Sequence, residues 1–325
     1  MNEPPKNGAA FSQSAPPKCT RKPYTYSHHG IELYDPYHWL RDPNFPEIRD
    51  PDVLDYLKAE NTYFSSVISK HGDVVDKLFA EFKGRISPSD SSVPLKDGKY
   101  YYQSQYTNGS QYPKYVRWST EDHTRNTKYA ETILDCEDLA QSHNYFSLGS
   151  FSLSYDHRYL AYSVDTSGSE RFILSVKDLK SKDILEDRIE NVQGDVIWSA
   201  DNKSFFYLVC NAQWRPHQLK RHVLGTRVKN DPIIYQENDD AFFLDLGLTS
   251  SRRYIVLSCA DHVTSETYLI QVDELATEPQ LVCKRTSGHE YEVDHQGDRF
   301  VIRTNDTHKN FRVVSATHES AAPSY

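Results

Sequence analysis

The sequence predicts a mainly β protein: about five blade-like sheets, as in a β-propeller, preceded by a helical segment. Three observations predict it. Helical periodicity is confined to about residues 50–84. After Pro94, short apolar or aromatic runs bounded by turn residues take over. Five of those runs open alike, with a polar turn, a basic residue and then a strand-like stretch. Composition agrees. Aromatics make up 13% of the 325 residues, Tyr (23) outnumbers Phe (14), and there is one Met. That balance favours pleated sheets over helix bundles.

In chain order, residues 1–23 are rich in Pro, Ser, Lys and Gly and read as a flexible arm. Residues 24–90 form the helical segment. Asp50-Pro51 marks a helix start, since Asp is a favoured N-cap and Pro a favoured first residue. Val53, Leu57, Phe64, Val67 and Ile68 then recur at helical spacing until His71-Gly72 interrupts them. A second helix is predicted from Asp73 to near Gly84, with Val74, Val75, Leu78, Phe79 and Phe82 on one side.

Residues 91–325 carry the repeats. Their basic anchors stand at 99, 158, 203, 253 and 299, with spacings of 59, 45, 50 and 46 residues. Propeller blades of the kelch and WD40 kinds repeat at roughly 40–50 residues. Further strand-like segments follow each anchor, such as Phe172–Lys177 in the second unit and Gln218–Leu224 in the third. Tyr100, Tyr159, Phe205, Ile255 and Val301 are expected on early blade strands, largely buried. A sandwich with accidental regularity is the competing fold. Five anchored repeats argue against it, because radial stacking of such sheets leaves only short, protected edges.

Bulk properties narrow the function. With 37 basic and 46 acidic residues the net charge is -9, and no basic stripe points to nucleic acid. No apolar run is long enough to span a membrane, and Met1–Gly8 lacks the apolar core of a signal peptide. Five scattered cysteines (19, 136, 210, 259 and 283) without a C-x-x-C pair suggest reduced thiols in a cytoplasmic protein.

Catalytic patterns are missing from the residues themselves. The G-x-S-x-G turn that presents a hydrolase serine is absent: no Gly has a Ser two positions later. Phosphate-binding loops and H-E-x-x-H are absent too. His28-His29 reads as solvated rather than metal-ligating. Nothing at the spacing of Cys136 and His143 holds them together as nucleophile and base. The neighbouring carboxylates Glu137-Asp138 and Asp239-Asp240 lack the spaced oxygens of a calcium loop. No catalytic, cofactor-binding or metal-binding residue is assigned.

The run Asp35-Pro36-Tyr37-His38-Trp39-Leu40-Arg41-Asp42, followed by a helix with Tyr56-Leu57-Lys58-Ala59-Glu60-Asn61, resembles the N-terminal signature of the prolyl oligopeptidase family. Gly98–Tyr102 with Gln111-Tyr112-Pro113, Leu160–Gly168, Trp198–Asn202 and Arg221–Thr226 are similar to its oligopeptidase B branch. The resemblance runs from about residue 24 to the end. It implies a serine peptidase whose α/β-hydrolase domain carries Ser, Asp and His in the C-terminal part. A seven-bladed propeller would gate and size-select substrates, short peptides cleaved after Arg or Lys, and no cofactor is implied. On this reading the chain is the incomplete propeller, about five of seven blades. The helical segment would pack on a hydrolase domain that lies outside the chain, and the chain alone would be inactive. Glu170, after Ser167-Gly168-Ser169 in the second repeat, is the expected interdomain contact. The alternative function is a non-enzymatic β-propeller that binds partners, since fold alone does not fix function.

Overall fold

The computed structural model describes residues 15–317 apart from residues 46, 123–129 and 275–277. Residues 1–14 of the expected arm, and residues 318–325, lie outside them. The chain divides into two compact units, Met1–Pro88 and Ser89–Tyr325.

The first unit opens with a hairpin that sequence reasoning did not foresee, β1 (Thr25–His28) and β2 (Ile31–Tyr34). Its two-residue turn places His29 and Gly30 at positive φ, the backbone a tight hairpin requires. Trp39 Nε1 donates to Thr20 O at 2.8 Å, and Lys22 Nζ lies 4.5 Å from the centre of the Trp39 ring. Asp42 then gathers the approach to the first helix. Its carboxylate accepts the N–H groups of Asn44, Arg49 and Asp50. Helix α1 (Pro51–Ile68) starts as its sequence dictates: Asp50 Oδ1 accepts Asp52 N–H at 2.8 Å, with Pro51 in the first position. Helix α2 (Gly72–Gly84) follows a single 3-10 turn. Val53 is buried, but Leu57, Phe64, Val74, Leu78, Phe79 and Phe82 all face outward.

The second unit is a succession of antiparallel sheets. Blade one comprises β3 (Asp90–Ser91), β4 (Leu95–Asp97), β5 (Tyr100–Tyr106), β6 (Lys114–Ser119) and β7 (Glu131–Asp135). A short helix, α3 (Cys136–Ala140), leads on to the next blade. Blade two is β8 (Ser147–Leu153), β9 (Tyr159–Asp165), β10 (Phe172–Asp178) and the first part of β11 (Ile184–Trp198). Blade three takes the rest of β11 with β12 (Ser204–Cys210), β13 (Pro216–Val223) and β14 (Ile233–Gln236). Because β11 serves both, blades two and three share one seven-stranded sheet. Its ladder shifts between Val192 and Val196, where Gly194 has φ 132°. Blade four is β15 (Phe243–Leu248), β16 (Tyr254–Ala260), β17 (Ser265–Gln271) and β18 (Gln280–Cys283). Blade five shows β19 (Tyr291–Gln296), β20 (Arg299–Thr304) and β21 (Arg312–Thr317) among the described residues.

The cores follow blade order. Ile133 and Leu134 of blade one pack with Leu160 and Tyr162 of blade two. Leu174 and Val176 join Trp198, Phe205 and Tyr207 across blades two and three. Phe206, Leu208 and Leu219 meet Leu244, Ile255 and Leu257 of blade four. Tyr254 and Leu269 meet Tyr291, Phe300 and Ile302 of blade five. Each blade buries its apolar face against the next, as stacked propeller blades do.

The sequence anchors have a backbone cause. The turn before the second strand of each blade holds one residue in the left-handed region: Gly98, His157, Asn202, Arg252 and Gly297, with φ between 55° and 68°. In four of the five it directly precedes the basic anchor. Gly and Asn adopt this backbone readily, whereas Arg252 carries a steric cost. Gly98 is further constrained, since a Cβ there would lie 2.3 Å from His157 Nε2. Of the five strand residues expected to be buried, Phe205 and Ile255 are fully so, while Tyr100, Tyr159 and Val301 are half-buried. In the fifth repeat Phe300, one position earlier, is the core residue, because Asp298 adds a residue to the turn.

Candidate functional site

Strand direction places two sets of connections at opposite ends of the blades. At one end lie the loops from second to third strand: 107–113, 166–171, 211–215, 261–264 and 305–311. The blade-to-blade crossings 136–146, 237–242 and 284–290 join them there. Three cavities, of about 480, 290 and 460 Å3, open at this end. Loops carried on a rigid scaffold are where binding residues concentrate, so this end is the candidate functional face.

Its most organised part lies between the loops of blades two and three. Asp165, buried at the end of β9, is the organiser. Its Oδ1 accepts Ser167 N–H at 2.8 Å, Gly168 N–H at 3.0 Å and Ser167 Oγ at 2.9 Å, while Oδ2 accepts Glu170 N–H at 2.8 Å. Burial alone would raise its carboxyl, but the donors from Ser167, Glu170 and Gly168 outweigh that and hold it below the usual carboxylate range. Glu170 is exposed on this loop with φ 56°, and its carboxylate makes no hydrogen bond or ion pair among the described residues. Next to it, the Arg171 guanidinium lies 5.4 Å from the Trp214 ring centre. Trp214 is also left-handed (φ 62°), in a loop pinned by Asn211 Oδ1, which accepts the N–H groups of Gln213 and Arg215. Non-glycine residues held in this region store strain and cluster at functional sites. Behind them Asn191, likewise left-handed, donates from Nδ2 to Cys210 O. The cavity of about 290 Å3 is lined by Tyr145, Glu170, Phe172 and Trp214 with Asp165 and Gln193 at its wall.

The opposite end is closed by polar contacts among the left-handed turns. Arg252 Nη1 donates to Asp97 Oδ1 at 2.6 Å, joining blades four and one, and Tyr155 OH donates to Arg252 O at 3.0 Å. Asn202 Oδ1 accepts Asp156 N–H, and Tyr102 OH bonds His157 Nδ1 at 2.8 Å. Burial pushes the His157 imidazole below its ordinary value, with Arg252 and Arg117 acting in the same direction.

Other residues weighed from sequence take structural roles. Cys136 is fully buried and its thiol is pushed up to about 12 by burial, with Asp135 adding to the effect, the reverse of an activated nucleophile. The rings of His28 and His29 meet edge-to-face, centres 4.0 Å apart, in the exposed hairpin turn. Glu137 accepts the N–H groups of Gln111 and Tyr112, fastening the first blade's loop. Asp239 accepts Ala241 N–H. Among the described residues no group of three or more His, Cys, Asp and Glu is placed to hold a metal ion. Among the described residues no helix is long and apolar enough to cross a membrane either.

Sequence reasoning singled out Glu170 but missed Asp165, Arg171 and Trp214. Asp165-Thr166-Ser167-Gly168 carries the signal of an Asx turn, which was available to a sequence reading. The Arg171–Trp214 contact spans 43 positions and has no local signal.

Comparison with known proteins gives a consistent answer. The family model for the prolyl oligopeptidase N-terminal β-propeller domain matches residues 16–324. Dipeptidyl aminopeptidase BI of Pseudoxanthomonas mexicana is 31% identical across 98% of this chain and 45% of its own length. Protease 2 of Moraxella lacunata is 30% identical across 92% of this chain and 43% of its own. Oligopeptidase B from Leishmania major superposes with a TM-score of 0.88 over 95% of this chain and 45% of that one, at 24% identity, a likeness of fold. The chain thus spans a little under half the length of the relatives it matches.

Proposed function

Since the chain belongs to the prolyl oligopeptidase family, through that family's N-terminal β-propeller domain, we propose that it is the front part of a serine oligopeptidase resembling oligopeptidase B. In that protein an α/β-hydrolase domain supplies the Ser–His–Asp triad and oxyanion hole, groups that need a G-x-S-x-G turn this chain does not contain. The propeller limits which peptides reach the nucleophile and keeps bulk water from it. The substrates are short peptides with Arg or Lys before the cleaved bond, in the cytoplasm. No cofactor enters the reaction.

The match to the propeller domain over residues 16–324 carries this reading. Two structural features support it. Phe64, Phe79 and Phe82 are more than half exposed on the two helices of the first unit. An apolar face of that kind marks a surface that docks on a partner, here the hydrolase domain. Glu170, presented without a partner on the loop face, is the residue proposed to contact that domain. A length series tests the gate. The whole protein should cleave capped Arg peptides of a few residues while sparing the same bond in a folded protein. Equal cleavage of both would remove the size-selecting role.

A further inference from the structure

We propose that Asn108 is a site of self-modification, at which the backbone nitrogen of Gly109 attacks the Asn108 side-chain amide and leaves an aspartate or isoaspartate in the loop between β5 and β6. The tip of that loop is Thr107-Asn108-Gly109-Ser110, on the candidate functional face. Ser110 closes the turn twice, donating to Thr107 O from its N–H at 2.9 Å and from its Oγ at 2.8 Å. Asn108 and Gly109 stand exposed between these two residues. Among the described residues neither the Asn108 amide nor the Gly109 N–H makes a hydrogen bond. Gly109 has φ 91°, and a Cβ placed there would meet nothing within 4 Å. With no side chain of its own, Gly109 leaves its nitrogen open to a close approach.

Among the described asparagines Asn108 alone precedes a Gly. Elsewhere the side chain of the next residue screens the nitrogen. Ala212 is the smallest of these, but Asn211 Oδ1 already accepts the N–H groups of Gln213 and Arg215. Asn202 and Asn305 are each held through both Oδ1 and Nδ2. An amide fixed in this way cannot turn onto the following nitrogen. At Asn108 the step balances without a cofactor or oxidant. The Gly109 nitrogen bonds to Asn108 Cγ, the Cγ–Nδ2 bond breaks, and ammonia leaves with the proton that Gly109 gives up. The cyclic imide then takes up one water. Opening at one carbonyl gives aspartate, and opening at the other gives isoaspartate, whose backbone is longer by one CH2. Either product puts a carboxylate in place of a neutral amide, on a loop that Glu137 fastens at Gln111 and Tyr112.

Peptide mapping of the aged chain tests this. The purified chain is incubated at neutral and at mildly alkaline pH, digested with trypsin and read by mass spectrometry. A synthetic peptide of residues 100–114, in which Asn108 is the only asparagine, is the clock, and incubation lasts until that peptide has reacted. In the chain, the same tryptic peptide should gain the mass of an NH2-to-OH exchange and split into two products. One of them should accept a methyl group from an isoaspartyl methyltransferase. The yield should rise with pH, because the attacking nitrogen must lose its proton. Gly109→Ala should slow the change about tenfold or more, Asn108→Gln should abolish it, and Asn211 and Asn305 should stay intact. An intact Asn108 once the free peptide has reacted, aspartate without isoaspartate, equal loss at Asn211, or an unslowed Gly109→Ala variant overturns the proposal. None of these outcomes depends on a hydrolase domain, so failure here leaves the peptidase reading standing.

Discussion

Replacing His222 by Ala removes a side chain that bridges two buried carboxylates. His222 is fully buried on β13. Its Nδ1 lies 2.9 Å from Asp231 Oδ1 and its Nε2 2.8 Å from Asp187 Oδ1. Each carboxylate keeps one further donor: Gly225 N–H on Asp187 and Tyr207 OH on Asp231. Both ring nitrogens lie within hydrogen-bond distance of a carboxylate oxygen, so the one side chain serves both groups at once. Without the ring, two buried carboxylates face a void with one donor apiece. Leaving a buried polar group without its partner costs roughly 1–3 kcal/mol, and more for a charged one, so losing the bridge to two of them takes a substantial part of a typical net stability of about 5–15 kcal/mol. Urea unfolding of the chain reads this directly. With a slope of roughly 1–3 kcal/mol/M, the midpoint should fall by about 1 M or more. Arg299→Ala, which removes an exposed pair with Asp298, is the control and should cost less than about 1 kcal/mol. Combining His222→Leu with Asp187→Asn and Asp231→Asn should recover most of the loss, since apolar or neutral replacement of a buried ionic group is often close to neutral. A His222→Ala midpoint matching the Arg299→Ala control would refute the bridging role.

Three further outcomes follow from particular contacts. Gly149→Ala places a Cβ 2.7 Å from the Phe172 ring and from Ser163 Oγ, an overpacking expected to cost about 1–3 kcal/mol by thermal or urea unfolding. Asp42, held at about 2 by the N–H groups of Asp50, Asn44 and Arg49, has a folded value below its unfolded one. Its stabilising contribution is therefore complete above about pH 4 and is lost as pH falls toward about 2; hydrogen exchange at the start of α1 should rise over that window, and Asp42→Asn should flatten the change. In the whole protein, Glu170→Ala should lower kcat/KM for Arg and Lys peptides, and unchanged kinetics would remove its proposed contact.

Much of the fold was legible because its signals are local. Asp50-Pro51 read as a helix start and is one, since capping depends on neighbours alone. The repeat of turn, basic residue and strand was visible because each blade needs a left-handed residue at the same point. The hairpin at 25–34 escaped notice because each strand has four residues, too few for alternation to show. The fusion of blades two and three was illegible for a different reason. A continuous β11 has its turn-like residues, Asn191 and Gly194, inside a strand, where they make a bulge rather than a loop. The candidate site divides the same way. Asp165 and Glu170 sit in a recognisable turn, whereas Tyr145 and Trp214 reach the cavity from other segments of the chain. The His222 bridge joins positions 187, 222 and 231, contacts that exist only once the sheet has formed.

Peptidase turnover tests the central claim most directly. Hydrolysis of a short peptide with Arg before the cleaved bond is measured on the purified chain and on a protein in which the chain continues into an α/β-hydrolase domain of this family. No turnover is expected from the chain alone, in which no G-x-S-x-G turn presents a serine nucleophile. The continued protein should turn over and be stopped by a serine-directed reagent. Turnover by the chain alone that such a reagent blocks, or an inactive continued protein that is correctly folded, would contradict it.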